Sequence, residues 1–184
     1  AIHDNLTGLF NTRYLYTALP ALIKKSAAGG VVFSLVFMDI DDFKQVVDTH
    51  GHLNASKTLQ EVGATLMAAL PAPAFGVAYG GDEFVMVLPG FDKQQALEMA
   101  ETIRQRIKET IYLQKAGLNV RIHSSLGVST FPDDADTLTE LLALADQAMF
   151  SVKERGKDSV CGISYETTED GSRIEKIVSY DCQK

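Results

Sequence analysis

The chain has no apolar run long enough to cross a bilayer. The longest, Val62 to Ala78, is broken by Pro71 and Pro73 and falls short of the ~20 residues a spanning helix needs. No secretory leader pattern opens the sequence. An excess of positive charge is missing too. Lys and Arg number 17 against 24 Asp and Glu, a formal net charge of −7, which argues against a broad basic face for a nucleic acid polymer or an anionic membrane. A phosphate ligand needs only local cations and a metal, so that class stays open. Cysteine is scarce: Cys161 and Cys182 point to free thiols in a cytoplasmic protein rather than to a disulfide framework. Internal repeats and low-complexity linkers are absent. What remains, 184 residues of which 46% are hydrophobic, suffices for one domain with a sizeable core but not for two.

The apolar periodicity predicts alternating helices and strands. Asn11 to Lys25 carries Tyr14, Leu15, Leu19, Leu22 and Ile23 at helical spacing. Phe33 to Asp39 reads as a buried central strand. A short helix over Asp41 to Asp48 follows, then a loop over Thr49 to Leu53, then a helix capped by Asn54 that presents Leu59, Val62, Leu66 and Leu70. Phe75 to Tyr79 and Phe84 to Leu88 are strands of a hairpin turning at Gly80-Gly81. A helix over Lys93 to Ile111, a strand over Val120 to Phe131, a helix over Thr137 to Glu154 and a strand over Ser159 to Ile163 complete an α/β sandwich. Residues 164–184 are polar apart from Ile174, Ile177 and Val178, and are expected to be an extension to a 1–163 domain, as a hairpin, a helix or a loose tail.

The stretch Ala78 to Leu88, AYGGDEFVMVL, sets two carboxylates between a glycine turn and an apolar strand. Asp39 ends the central strand. If the two strands are neighbours, Asp39, Asp82 and Glu83 converge and repel one another unless a hard cation is held; Mg²⁺ takes such oxygen ligands when phosphates complete its shell. The alternative is ordinary strand-end acids in water. The amides around Asp42, Phe43 and Lys44 lie at a helix start, where an anion is favoured, although Asp41 and Asp42 oppose one unless they point away or assist a metal. Lys153 and Lys157 share a side if their helix continues; Gly156 ends it and leaves Lys157 to swing. The alternative is a solvated helix end with cations at the negative pole of the dipole.

Four ordered motifs combine these features: DNLTGLFNTRYL (Asp4 to Leu15), FMDIDDFKQVVDTHGH (Phe37 to His52), YGGDEF (Tyr79 to Phe84) and VKERGKDSV (Val152 to Val160). Together they resemble the GGDEF family of nucleotidyl cyclases. The resemblance implies a five-stranded central sheet flanked by helices, related to polymerase palms and adenylate cyclases. It implies condensation of two nucleoside triphosphates into a 3′,5′-cyclic dinucleotide, with Mg²⁺ or Mn²⁺, by a homodimer in which each chain holds one substrate. The implied metal ligands are Asp39, the Ile40 carbonyl, Asp82 and Glu83. Asp82, Glu83 and Lys44 are the implied catalytic residues, and Asp42, Phe43, Lys44, Val47, His52, Ser56, Gly80, Gly81, Lys153 and Lys157 the implied substrate-binding set. A sensory or receiver domain is expected before Ala1.

Several positions depart from the family pattern. Val47 stands where Asn is usual and Ser56 where Asp is usual, both at the guanine edge; Lys157 replaces Arg, keeping charge but losing the bidentate fork. Ser56 resembles the hybrid promiscuous subclass that makes cyclic GMP-AMP besides cyclic di-GMP, so GTP and also ATP are expected substrates. A conventional diguanylate cyclase and a non-catalytic nucleotide-binding module remain the alternatives. The product-feedback motif Arg-x-x-Asp is replaced by Pro71-Ala-Pro-Ala74, so no inhibition by that route is expected.

Overall fold

The computed structural model describes residues 1–180, so Cys182, and with it any expectation about its pairing, lies outside the described residues. In chain order the elements are α1 (Thr12–Gly29), β1 (Phe33–Ile40), α2 (Phe43–Ala69), β2 (Phe75–Gly80), β3 (Glu83–Pro89), α3 (Lys93–Glu109), β4 (Ser124–Phe131), α4 (Leu138–Glu154), β5 (Val160–Thr167) and β6 (Arg173–Ser179), with a short 3₁₀ turn at Gln114–Ala116. The six strands form one mixed sheet in the order β2-β3-β1-β4-β5-β6. Among these six strands of the described residues, β4 and β5 are the one pair that runs parallel.

Strand β1 is central because both of its faces are apolar. Phe33, Leu35 and Phe37 pack with α1 and α4, while Val36, Met38 and Ile40 pack with α2 and α3. Two helical layers therefore sandwich the sheet. Helix α4 lies directly on β4 at Gly127, where a Cβ would collide with the Ala145 carbonyl oxygen and the Met149 nitrogen. The leading segment is clasped rather than loose. Asp4 Oδ2 accepts from the Thr7 N–H at 2.9 Å and from its hydroxyl at 2.7 Å. Thr7 in turn sits on α2, 2.9 Å from where a Cβ at Gly63 would stand.

Four expectations are corrected. The predicted loop at Thr49 to Leu53 shrinks to one residue, because Gly51 alone leaves helical geometry (φ 82°, ψ 167°) and the helix resumes at once. Asn54 is then interior rather than a cap, donating from Nδ2 to the His50 carbonyl at 3.1 Å. The strand predicted from Val120 begins at Ser124, since Val120 is drawn into a bridge with Tyr112. The tail takes the hairpin form among those expected, and with it the sheet gains a sixth strand beyond the expected five. β5 runs through residue 163 to Thr167 and turns into β6, whose Arg173 stacks on Tyr165 and whose Lys176 pairs with Glu166.

Candidate active site at the glycine turn

The register of the sheet assembles the acids. Asp39 lies opposite Glu83 on β3 and opposite Ser125 on β4. Residues directly opposite share a face, and parity with Phe37 puts Asp39 on the α1/α4 side. The Ile40 N–H donates to the Asp82 carbonyl at 3.2 Å, tying the end of β1 to the Gly81-Asp82 turn. Asp82 is thereby set beside Asp39. Burial first, and then this neighbouring carboxyl, push the Asp39 pKa up to about 7 against the opposing pull of Lys153. Asp39 Oδ1 is buried and has no hydrogen-bond partner among the described residues. A buried carboxylate oxygen with open lone pairs beside a like charge fits a hard cation.

Glu83 faces Asp39 across the β1–β3 ladder. Burial raises its pKa most, followed by Asp146 on α4 and then Asp82. Among the described residues no group of three His, Cys, Asp or Glu side chains meets at metal-ligand spacing. A cation here would rest on the Asp39 and Asp82 carboxylates, with other positions left to backbone oxygen, water or phosphate.

Lys153, in the last turn of α4, reaches 3.0 Å from Asp39 Oδ2 and 3.4 Å from Asp41 Oδ1. Asp41 is 6% exposed. It accepts from the Ser125 hydroxyl at 2.6 Å and from the Asp158 N–H at 3.0 Å. Asp42 points outward, in left-handed geometry (φ 54°), and does not cap α2. It binds Lys157 at 2.6 Å, and that lysine lowers its pKa. Lys157 is therefore docked, not swinging as its sequence context suggested. The first amides of α2 lack a side-chain cap, and at Gly80 and Gly81 nothing lies within 4 Å of where a Cβ would stand. Gly81 needs its glycine for a φ of 56°. The turn thus offers bare backbone and open space beside the acids.

A family model described as "Diguanylate cyclase, GGDEF domain" matches residues 1–159. The chain belongs to the GGDEF family. This is a family of nucleotidyltransferase domains. Response regulator PleD of Caulobacter vibrioides is 36% identical over 165 residues, covering 88% of this chain and 36% of its own. The bifunctional diguanylate cyclase/cyclic di-GMP phosphodiesterase MucR of Pseudomonas aeruginosa is 34% identical over 161 residues, 88% of this chain and 23% of that one. The chain thus spans well under half of these curated relatives. Among solved structures, the GGDEF domain of DgcB from Caulobacter crescentus in complex with c-di-GMP superposes with a TM-score of 0.81 at 25% identity, covering 88% of this chain and 95% of that one.

The remaining GGDEF-motif positions lie along α2. Phe43 begins the helix, and Lys44 and His52 are exposed. Val47 is half-buried against the α2/α3-side core, and Ser56 is half-buried beyond the Gly51 kink. Among the described residues no helix is long and apolar enough to cross a membrane. Sequence reasoning treated Asp41 as an electrostatic liability and overlooked Ser125, Asp146, Arg104 and Asp158. The Glu101-x-x-Arg104 spacing was the one available signal, since residues three apart on a helix are neighbours.

Proposed function

We propose that this GGDEF chain condenses two nucleoside triphosphates into a 3′,5′-cyclic dinucleotide, as one half of a homodimer, with relaxed choice between guanine and adenine. The observation that carries the reading is Asp39 Oδ1, without a hydrogen-bond partner among the described residues, beside Asp82 at an open glycine turn. Asp39 and Asp82, with the Ile40 carbonyl and Glu83 at hand, would hold Mg²⁺ or Mn²⁺. When bound, the ion supplies positive charge for the triphosphate and acidifies the attacking hydroxyl. The α2 amides at Phe43 and Lys44, with Lys44, Lys153 and Lys157, neutralise phosphate charge. Lys157 must exchange its Asp42 partner for phosphate.

In each of two successive steps a 3′-oxygen bonds to the α-phosphorus of the facing nucleotide as the α–β phosphate bond breaks. The hydroxyl proton passes to the Asp82/Glu83 pair, and pyrophosphate leaves with the electron pair. Burial, Asp146 and Asp82 raise the Glu83 pKa, which makes it a stronger base for that proton than an ordinary glutamate. Val47 offers no hydrogen bond to a base, and Ser56 offers one hydroxyl. A polar edge left unpaired is what normally rejects the wrong base, so discrimination is weak. A sensory or receiver region outside this chain would supply the dimerising signal.

The test incubates the chain, fused to a dimeriser, with Mg²⁺ and GTP, ATP or both, and identifies products by mass spectrometry. Mixed GMP-AMP product is expected, with Asp82→Ala inactive. Cyclic di-GMP alone would reduce the reading to a conventional diguanylate cyclase. Bound nucleotide without any product would leave a binding module.

A further inference from the structure

Asp158 follows Lys157 and has no part in the chemistry above, yet it joins three elements. Its Oδ1 accepts from Arg104 Nη1 at 2.6 Å, and its Oδ2 lies 3.4 Å from Lys108 and 3.4 Å from His123. Arg104, on α3, is 9% exposed and spends its other donors on both Glu101 oxygens, at 2.9 and 2.5 Å. The backbone N–H of Asp158 donates to Asp41 Oδ2 at 3.0 Å. From Asp41 the chain continues through Lys153 to Asp39. We propose that Asp158 and Arg104 are positioning residues that fasten the Gly156–Asp158 turn to α3, and so set Lys157 and the Asp41–Lys153–Asp39 chain for nucleotide.

The proposal rests on the reading of Lys157 and Asp39 as triphosphate and cation groups. A mere end to α4 does not need these bonds. The Lys157 N–H already closes the helix on the Val152 carbonyl at 3.0 Å, whereas the Asp158 bonds run to α3 and to the end of β1. Lys157 (φ 66°) and Asp158 (φ 51°) are held in left-handed backbone, a state that side-chain-bearing residues keep only where their surroundings over-determine it. The guanidinium fork matters because Nε and Nη2 grip Glu101 side by side while Nη1 reaches Asp158, a planar three-point geometry that a compact ammonium does not reproduce.

The test compares the full chain with Asp158→Asn, Arg104→Lys and the double variant. It measures affinity for a non-hydrolysable GTP analogue, KM and kcat for GTP, amide hydrogen exchange at residue 158, and the thermal midpoint. For Asp158→Asn, affinity and KM weaken about tenfold, amide protection drops, and the midpoint stays within a few degrees; the double variant is no worse than Arg104→Lys alone. Unchanged affinity, unchanged protection, or an activity loss that merely follows the folded fraction overturns the proposal. Wild type that binds the analogue without making dinucleotide refutes the function alone. Wild type that does not bind it leaves amide exchange to decide the clamp.

Discussion

Replacing Asp39 with asparagine should stabilise the metal-free domain and erase its response to Mg²⁺. In the fold the carboxyl pKa is displaced from 3.8 to about 7, chiefly by burial and then by Asp82. The unfolded chain releases that proton near pH 4. The folded state therefore binds more protons between these values, so stability is highest below about pH 4, falls as pH rises, and reaches its floor above about pH 7. A displacement of about three pH units carries about 4 kcal/mol at full strength. The side chain is 21% exposed and lies 3.0 Å from Lys153. Water screening reduces the recoverable part to about 1–2 kcal/mol.

The substituted amide carries no charge, and Lys153 retains Asp41. Expected gains are about 1–2 kcal/mol at pH 8, about 3–6 °C in midpoint, and less than half of that at pH 5. Thermal and urea unfolding in EDTA at both pH values measures this. Added Mg²⁺ should raise the midpoint of wild type but not of the variant. A variant less stable than wild type at pH 8, or equally shifted at both pH values, would refute the reasoning.

Gly127→Ala forces a methyl into the α4 backbone, with Ala148 C at 2.9 Å among the atoms met, and should lower stability by about 2–3 kcal/mol at unchanged urea m-value. Glu101→Ala takes the bidentate partner from a guanidinium only 9% exposed; a loss of about 3 kcal/mol is expected by calorimetry, and a loss below about 1 kcal/mol would mean that Asp158 suffices alone. Val47→Asn combined with Ser56→Asp should raise the ratio of cyclic di-GMP to mixed GMP-AMP product about tenfold from equimolar GTP and ATP. An unchanged product ratio would show that base choice lies elsewhere.

Local pattern was legible wherever one short stretch carried the whole signal. Phe33 to Ile40 is apolar on both faces and became the central strand; the Gly80-Gly81 pair became the hairpin turn. The places of Asp39 near the end of β1 and of Glu83 at the start of β3 were also legible, because the motifs set them beside apolar runs. What escaped were features settled by partners distant in sequence. Nothing near Lys157 announces Asp42, 115 residues away, and nothing near Asp158 announces Asp41, 117 residues away. Nor could composition reveal that 173–179 would find an open edge on β5, because an exposed strand need not look apolar.

The sequence by itself determined the alternating helices and strands, the glycine turn and the residue types at the acidic mouth, since these depend on spacing along the backbone. Only the tertiary structure decided which carboxylates adjoin, which lysine neutralises them, and which oxygen is left without a partner. Charge acts through space, and those distances exist only once β1, the hairpin and α4 are packed together.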